Sequence, residues 1–250
     1  MKVTYYNYNT PLKIVLLSDL HNNPYDKIIK KVSKIKPDII TIPGDLVKGY
    51  VPNGEISILE EQKNVIPFLK GCSEIAPTFM SIGNHDWMIK EREKEIIKSC
   101  GVTLLDNEYV IYKNVAIGGL TSAFKLFFDE TDTISANMGA ELSKKVPELK
   151  WLDEFEKRSE YKLLLCHHPE YYFRYLKNKK IDLVVAGHCH GGQIRLFGHG
   201  LYAPGQGILP KYTKGIYEKL IISTGLAGTI KCVPRLFNPR EIVVIEPNSN

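Results

Sequence analysis

Residues 13–21 read Lys-Ile-Val-Leu-Leu-Ser-Asp-Leu-His, and this stretch combines a strand signal with the first candidate ligands. The apolar run at 13–17 is short and has no polar alternation, which is typical of a strand buried on both faces. Asp19 and His21 follow it and are two residues apart, so both side chains can point the same way from an extended turn. Ligands of open α/β sheets bind beyond the carboxyl ends of the strands, so we expect a site at this position.

The same arrangement recurs after four other apolar runs. Each run ends just before one or more polar side chains that can bind a metal ion. The runs are DIITI (38–42) before Asp45, TFMSI (78–82) before Asn84, His85 and Asp86, KLLLC (162–166) before His167, and DLVVA (182–186) before His188 and His190. Six of the seven histidines directly follow a predicted strand, whereas His199 lies in the Gly/Pro-rich stretch 198–215. A helix cap, a turn or a buried histidine explains each residue singly, but not the ordered set.

The order of the predicted elements indicates an α/β fold. In the first half, helical segments alternate with the strands, which predicts a parallel sheet with helices on both faces. The three short strands between residues 102 and 120 have tight connections, which favour antiparallel pairing. The chain has no repeat and no linker-like change in composition, so we expect residues 1–250 to form one domain. The predicted helices are 25–36, 56–69, 90–99 and 148–157, and the remaining strands are 102–105, 109–112, 115–120, 193–197, 220–223 and 241–245.

Composition and charge restrict the class of protein. A hydrophobic fraction of 44% and a charged fraction of 24% exclude a disordered chain. The net charge of +5 is modest and spread along the chain, so it does not by itself indicate a nucleic-acid partner. The five cysteines form no Cys-x-x-Cys pair, which favours a reducing compartment. No apolar run approaches the ~20 residues of a membrane-spanning helix, so we expect a soluble cytoplasmic protein without a transmembrane anchor.

The candidate ligands combine carboxylate and amide oxygens with imidazole nitrogens. This combination suits manganese, iron or zinc better than calcium. Seven ligands are too many for one ion but fit two ions that share a bridging carboxylate. Two ions roughly 3.5–4 Å apart can activate a water molecule and stabilise an in-line displacement at phosphorus. The seven candidates are Asp19, His21, Asp45, Asn84, His167, His188 and His190.

These motifs resemble those of the calcineurin-like metallophosphoesterases and occur in that family's order. The matching motifs are Asp19-Leu20-His21, Gly44-Asp45, Gly83-Asn84-His85-Asp86, His167 and Gly187-His188-Cys189-His190. The stretch from Gly191 to Tyr217 is similar to a bacterial single-domain branch of predicted phosphohydrolases. The resemblance implies a four-layer α-β-β-α sandwich, in which two mixed sheets are flanked by helices.

The resemblance also implies a role for each candidate residue. The implied ligands are Asp19, His21 and His190 for the first metal, Asn84, His167 and His188 for the second, and Asp45 as the bridge between them. His85 would donate a proton to the leaving oxygen or hold the phosphate, and Asp86 would orient the His85 ring. Two divalent ions are therefore the expected cofactors, with manganese preferred and iron or zinc as alternatives.

Two positions lie outside this assignment. Cys189 stands where many relatives carry Thr or another small residue, and it either adds a soft ligand or is passive. His168 is expected to be structural or to support a ligand.

The chain lacks the Asp-Arg-Gly that is usual in Ser/Thr protein phosphatases, so that branch is disfavoured.

The expected function is a dinuclear metal-dependent phosphoesterase that attacks a phosphodiester or an activated monoester in line, with the diester favoured. The small substrate could be a nucleotide, a phospholipid headgroup or a cell-envelope phosphoester, and peripheral membrane contact stays open. Specificity is expected in the loops 121–146 and 198–215, where Phe124, Phe127 and Phe128 could line a substrate rim. The alternative is a catalytically silent binding or scaffold module that kept the fold. Such relatives usually lack several ligands or the catalytic histidine, and all of them are present here.

Overall fold

Two six-stranded mixed sheets form the centre of the protein. The computed structural model describes residues 1–50, 56–126, 146–204, 206–228 and 234–248. The first sheet contains β1 (Lys2–Tyr8), β2 (Ile14–Leu16), β3 (Ile39–Ile42), β4 (Thr78–Ser81), β5 (Val102–Leu105) and β16 (Glu241–Pro247). Its spatial order is β1-β16-β2-β3-β4-β5, and all neighbours are parallel except β16 and β2.

The second sheet has parallel strands at its centre and an antiparallel strand at each edge. It contains β6 (Glu108–Tyr112), β7 (Val115–Leu120), β8 (Tyr161–Cys166), β9 (Leu183–Ala186), β14 (Gly215–Tyr217) and β15 (Leu220–Ile222). Its spatial order is β14-β15-β9-β8-β7-β6. Two short antiparallel ribbons lie outside both sheets and pair β10 (Arg195–Leu196) with β11 (His199–Gly200) and β12 (Tyr202–Ala203) with β13 (Gly207–Ile208).

The helices are short and amphipathic. The α-helices are α1 (Asp26–Ile35), α2 (Ile58–Glu61), α3 (Val65–Ser73), α4 (Glu91–Ser99), α5 (Leu152–Glu156) and α6 (Pro169–Tyr171). A π-helical turn, Tyr172–Leu176, continues α6, and 3-10 turns form at Ala123–Leu126 and His190–Gly192. No helix in the described ranges has the length and apolar character that crossing a bilayer requires.

Alternate side chains of each central strand enter different cores, which establishes the layer order. In β2, Val15 packs with Ile28 and Phe68 of the helices that cover the first sheet. Its neighbours Ile14 and Leu16 instead pack between the two sheets, with residues such as Leu163 of β8. The opposite face of the second sheet packs against α5 and the segment from α6 to Leu176. The expected four-layer α-β-β-α sandwich is therefore confirmed.

Several element predictions need correction. Helices cover the first sheet on one face only, because the other face packs against the second sheet; apolar strands do not reveal which layer covers them. Residues 102–105 pair in parallel with β4, so the chain changes sheets after β5. Residues 193–197 contribute only β10, and 56–69 divides into α2 and α3. The tyrosine-rich β1 was not predicted at all, because it lies at a half-exposed edge.

Candidate metal centre

The carboxyl ends of strands from both sheets meet at one rim of the sandwich. Loops after β2, β3 and β4 arrive from the first sheet, and loops after β8 and β9 arrive from the second. The seven predicted ligand residues follow these five strands. Because two sheets converge, donors that are distant in the sequence lie within a few ångströms of each other.

Asp19, His21 and His190 form the first cluster, and their donor atoms all lie within 4.8 Å of one another. His190 Nε2 is 3.3 Å from Asp19 Oδ1 and 3.3 Å from His21 Nε2. Asp19 Oδ2 is buried and accepts no hydrogen bond from the described part of the chain. A buried carboxylate oxygen without a donor is costly unless a cation lies beside it.

The second cluster contains Asp45, His167 and His188, whose donor atoms are also within 4.8 Å of one another. His167 Nε2 is 3.1 Å from Asp45 Oδ2. Asn84 is placed on the same loop as His85, and its Oδ1 is buried without a hydrogen-bond partner among the described residues. An amide oxygen left in this state fits a metal ligand.

Asp45 belongs to both halves of the site. Its Oδ2 lies 3.1 Å from His167 Nε2 in the second cluster and 3.6 Å from His21 Nε2 in the first. Asp45 is buried, and its other oxygen accepts the backbone N–H of His85 at 2.8 Å. The carboxylate therefore has the position that a bridging ligand needs.

Three of the candidate ligand histidines are oriented by backbone carbonyls. His21 Nδ1 donates to the carbonyl of Val47, His167 Nδ1 to that of Pro43, and His190 Nδ1 to that of Ala227, each at 3.1 Å. A carbonyl only accepts, so each Nδ1 carries a proton and Nε2 is the nitrogen that faces the site. Backbone hydrogen bonds of this type orient histidine ligands in metal proteins.

The backbone at the ligands is strained. The φ angles are 58° at Asp19, 45° at His21, 56° at Asp45, 68° at His188 and 44° at His190. Residues other than glycine rarely adopt this left-handed region, and such conformations concentrate at functional sites. These five candidate ligands belong to three separate loops, although left-handed φ angles also occur away from the site, for example at Lys36 and Lys113.

Asp86 is the anchor of two ligand loops. Its carboxylate accepts backbone N–H groups of Asp45 at 2.7 Å, Leu46 at 2.9 Å, Val47 at 3.2 Å and Gly83 at 2.9 Å. Burial, followed by the charge of Asp45, raises the pKa of Asp86 to about 6. Asp86 therefore fixes the loops that carry Asp45 and Asn84, which differs from its predicted role of orienting the His85 ring.

His85 obtains its orientation from a backbone amide. Gly49 N–H donates to His85 Nδ1 at 3.3 Å. The centroid of the His85 ring lies 4.7 Å from that of the His21 ring. Because a backbone N–H can only donate, Nδ1 is the acceptor and the neutral ring carries its proton on Nε2. His85 is partly exposed beside the clusters and can present that proton to a bound molecule.

Burial and charge divide the histidines into two protonation states. Burial lowers the pKa of His21 to about 4 and that of His190 to about 3, so both are neutral and able to ligate. Burial also acts to lower the pKa of His167, but the facing Asp45 carboxylate outweighs it and raises the pKa of His167 to about 9. Burial likewise opposes ionisation of Asp45, yet the imidazole of His167 holds the pKa of Asp45 well below its usual range. A metal ion that binds His167 therefore displaces a proton.

One buried carboxylate near the site was not predicted. Glu170 Oε1 lies 3.7 Å from His188 Nε2 and 3.5 Å from His168 Nδ1, and neither Glu170 oxygen has a hydrogen-bond partner in the described ranges. His168 in turn shares a 2.7 Å hydrogen bond with Ser122 Oγ. In the sequence, Glu170 follows Pro169 in the first turn of a helix, where an acidic residue has an ordinary explanation.

Cys189 is a neutral thiol held by a neighbour. Gln206 Nε2 donates to its Sγ at 3.2 Å, and burial raises the pKa of Cys189 well above its usual value. The four described cysteines, Cys189 among them, are free. Phe124 stacks on His168, with ring centroids 6.3 Å apart, whereas Phe127 and Phe128 lie outside the described residues.

Sequence comparisons agree with the geometry. A model of the calcineurin-like phosphoesterase family matches residues 12–192. The chain is 29% identical to Bacillus subtilis YpbG over 78% of this chain and 68% of that protein. It is 29% identical to the Campylobacter jejuni metallophosphoesterase Cj0846 over 96% of this chain and 60% of that protein. It is 27% identical to the Escherichia coli phosphodiesterase YaeI over 74% and 63% of the two chains. The chain thus spans less than two thirds of the length of Cj0846 and YaeI.

Among solved structures, Thermus thermophilus sulfate thiohydrolase SoxB in complex with glycerol aligns with a TM-score of 0.45 and 12% identity, covering 71% of this chain and 48% of that one.

The sandwich and its rim of Asp, His and Asn donors define a metal-binding hydrolytic site. The donor set fits divalent ions, because Asp45 Oδ2 faces a histidine of each cluster and the buried oxygens Asp19 Oδ2 and Asn84 Oδ1 have no hydrogen-bond partner among the described residues. The chain belongs to the calcineurin-like phosphoesterase family. The family and the clusters together support a metal-dependent phosphoesterase.

Proposed function

We propose that the protein is a dinuclear metal-dependent phosphodiesterase for a small phosphoester. The observation that carries this proposal is the position of Asp45, whose single Oδ2 atom faces both clusters at 3.1 and 3.6 Å. Asp19, His21 and His190 would hold one ion, and Asn84, His167 and His188 the other. The diester preference rests on similarity to YaeI, which is named a phosphodiesterase.

The protein's own groups then position and protonate the substrate. Two divalent ions at this rim would supply an activated water molecule and neutralise charge that develops on the phosphoryl oxygens. His85 accepts the Gly49 N–H at Nδ1 and would donate the proton on Nε2 to the departing alcohol oxygen. Asp86 keeps Asp45 and Asn84 in place through the backbone amides that it accepts. We propose manganese as the native metal, with iron or zinc as the alternatives.

Metal removal and restoration test this function. The full chain is treated with EDTA, desalted and assayed with bis-p-nitrophenyl phosphate and with p-nitrophenyl phosphate. We expect activity to disappear on chelation and to return on addition of manganese, with the diester cleaved faster. Full activity in metal-free protein would contradict the proposal. Cleavage of the monoester alone would contradict the diester preference but not the metal centre.

A further inference from the structure

Six exposed apolar side chains form a patch next to the loop that carries His190. The apolar patch consists of Leu196, Phe197, Ile208, Leu209, Leu236 and Phe237. Four of them are the most exposed large apolar side chains of the described residues: Phe197 at 100%, Ile208 at 82%, Phe237 at 79% and Leu209 at 69%. Single exposed apolar residues are ordinary, but a group of this kind marks an interaction surface.

The patch is continuous in space. Leu196, Phe197 and Leu209 line one groove of about 470 Å³, together with His199 and Leu201. The backbone N–H of Arg195 donates to the carbonyl of Leu236 at 3.0 Å, which places 236–237 alongside the first ribbon. The backbone N–H of Leu209 donates to the carbonyl of Leu201 at 2.9 Å, which places Leu209 and the adjacent Ile208 beside the groove.

A residue next to the patch is hydrogen-bonded to the backbone of a candidate metal ligand. Asn238, next to Phe237, donates from Nδ2 to the carbonyl of His190 at 2.7 Å and to that of Gln193 at 3.0 Å. An Arg195 guanidinium N–H donates to the carbonyl of Gly191 at 2.8 Å. A molecule held on the patch is therefore close to the site at which hydrolysis is proposed.

The sequence around the patch is strongly basic. Residues 189–240 contain seven Lys and Arg residues but a single acidic one, Glu218. The chain as a whole has a net charge of only +5, so this stretch accounts for its entire positive excess. Residues 1–50 carry a further net charge of +4, from eight Lys and four Asp residues, so the positive charge lies in two separate stretches. An apolar surface within a basic segment complements an anionic membrane surface, whereas two copies of the patch would repel each other.

We propose that the apolar patch docks on a lipid bilayer that contains anionic lipid, and that the phosphoester substrate is the headgroup of a membrane lipid. The docking part stands on the surface alone, and the substrate part rests on the proposed function. Apolar side chains enter the interface between headgroups and acyl chains, and the exposed Lys211 binds a lipid phosphate.

Vesicle sedimentation with the full chain tests the docking. The probes are vesicles of phosphatidylcholine alone and vesicles of phosphatidylcholine mixed with phosphatidylglycerol. We expect about tenfold tighter binding to the anionic vesicles, weakened by salt. F197S/I208S should bind both vesicle types about tenfold more weakly. K211Q should weaken only the anionic binding, about fivefold. The matched control Y5S replaces an aromatic side chain that is 55% exposed on the edge strand β1, and it should bind as the wild type does.

Several outcomes overturn the proposal. One is equal vesicle binding by F197S/I208S and Y5S, and another is no binding by the wild type. A third is a wild-type dimer in light scattering that F197S/I208S converts to a monomer, because the patch would then be covered by a second copy. Binding is measured with and without EDTA, so the result does not depend on the metals. Vesicle binding without bis-p-nitrophenyl phosphate hydrolysis would reject the proposed function but keep the docking, and the reverse result would reject only the docking.

Discussion

The metal-centre loops and the apolar patch leave the same end of β9, yet they are built in opposite ways. His188 and His190 are buried, and they share the left-handed φ region with the exposed Phe197, so burial is what differs. A few residues later, the two-residue ribbons expose Phe197 and Ile208 almost completely. Buried contacts fix the conformation of the loops, whereas the ribbon side chains have few packing contacts. This difference indicates that packing fixes the loops, and the exposure of the ribbons agrees with the proposed docking.

The largest contrast is expected from D45N. Loss of the shared carboxylate charge weakens both clusters, so we expect bis-p-nitrophenyl phosphate hydrolysis to fall by roughly three orders of magnitude and both ions to be lost. Elemental analysis and kinetics check this result. The matched control is D26N, at an exposed residue in the first turn of α1, which should retain both ions. Two retained ions in D45N would show that Asp45 is not the bridge.

H85A separates chemistry from metal binding. We expect turnover to fall by about 10²- to 10⁴-fold, the range typical of a lost general acid, while both ions stay bound. The readouts are kcat for bis-p-nitrophenyl phosphate and the metal content of the same sample. A release of metal by H85A would show that His85 is a ligand, which would contradict the role assigned to it.

D86N tests how strongly the ligand loops are fixed. The amide side chain of this variant has one oxygen and one NH₂ group where Asp86 has two oxygens. Its NH₂ group cannot accept the backbone N–H groups, so some of the four buried hydrogen bonds are lost. We expect the free energy of unfolding to fall by about 3 kcal/mol. Urea denaturation of the metal-free protein measures it. A change below about 1 kcal/mol, the net value of one ordinary hydrogen bond, would mean that the loops are held by other contacts.

E170Q addresses the buried carboxylate beside His188. The Glu170 carboxylate lies 3.7 Å from His188 Nε2 without a hydrogen bond, so its charge is what favours a cation here. Because E170Q removes that charge beside a candidate ligand, we expect metal affinity to fall by about tenfold. Titration of metal-free protein with manganese gives the affinity, and E170D should recover part of it. E91Q, at an exposed residue in α4, is the matched control. Unchanged affinity in E170Q would leave the two Glu170 oxygens without an explanation.

The smallest effect is expected from F197S. Phe197 is fully exposed, so its replacement should change the free energy of unfolding by less than about 0.5 kcal/mol. Urea denaturation run beside D86N makes the comparison between the two regions direct. A loss as large as that of D86N would mean that the ribbon is part of the packed fold.

The strand ends were predictable from sequence, but the environment of each ligand was not. Apolar runs followed by Asp19, Asp45 or His167 identify strand ends and donors, because periodicity and residue chemistry are local signals. Three features of the fold depend on contacts between distant segments. They are the packing of the second sheet on the first, the parallel pairing of β5 and the edge strand β1. Glu170 and the amides around Asp86 escaped prediction for the same reason, since their partners are remote in the chain. The apolar patch was missed because exposure cannot be read from residue type alone.

Anomalous scattering from a crystal of manganese-loaded protein tests the central claim most directly. We expect two manganese peaks with the Asp45 carboxylate between them. One peak should lie beside Asp19, His21 and His190, and the other beside Asn84, His167 and His188. A single peak, or two peaks that do not share Asp45, would contradict it.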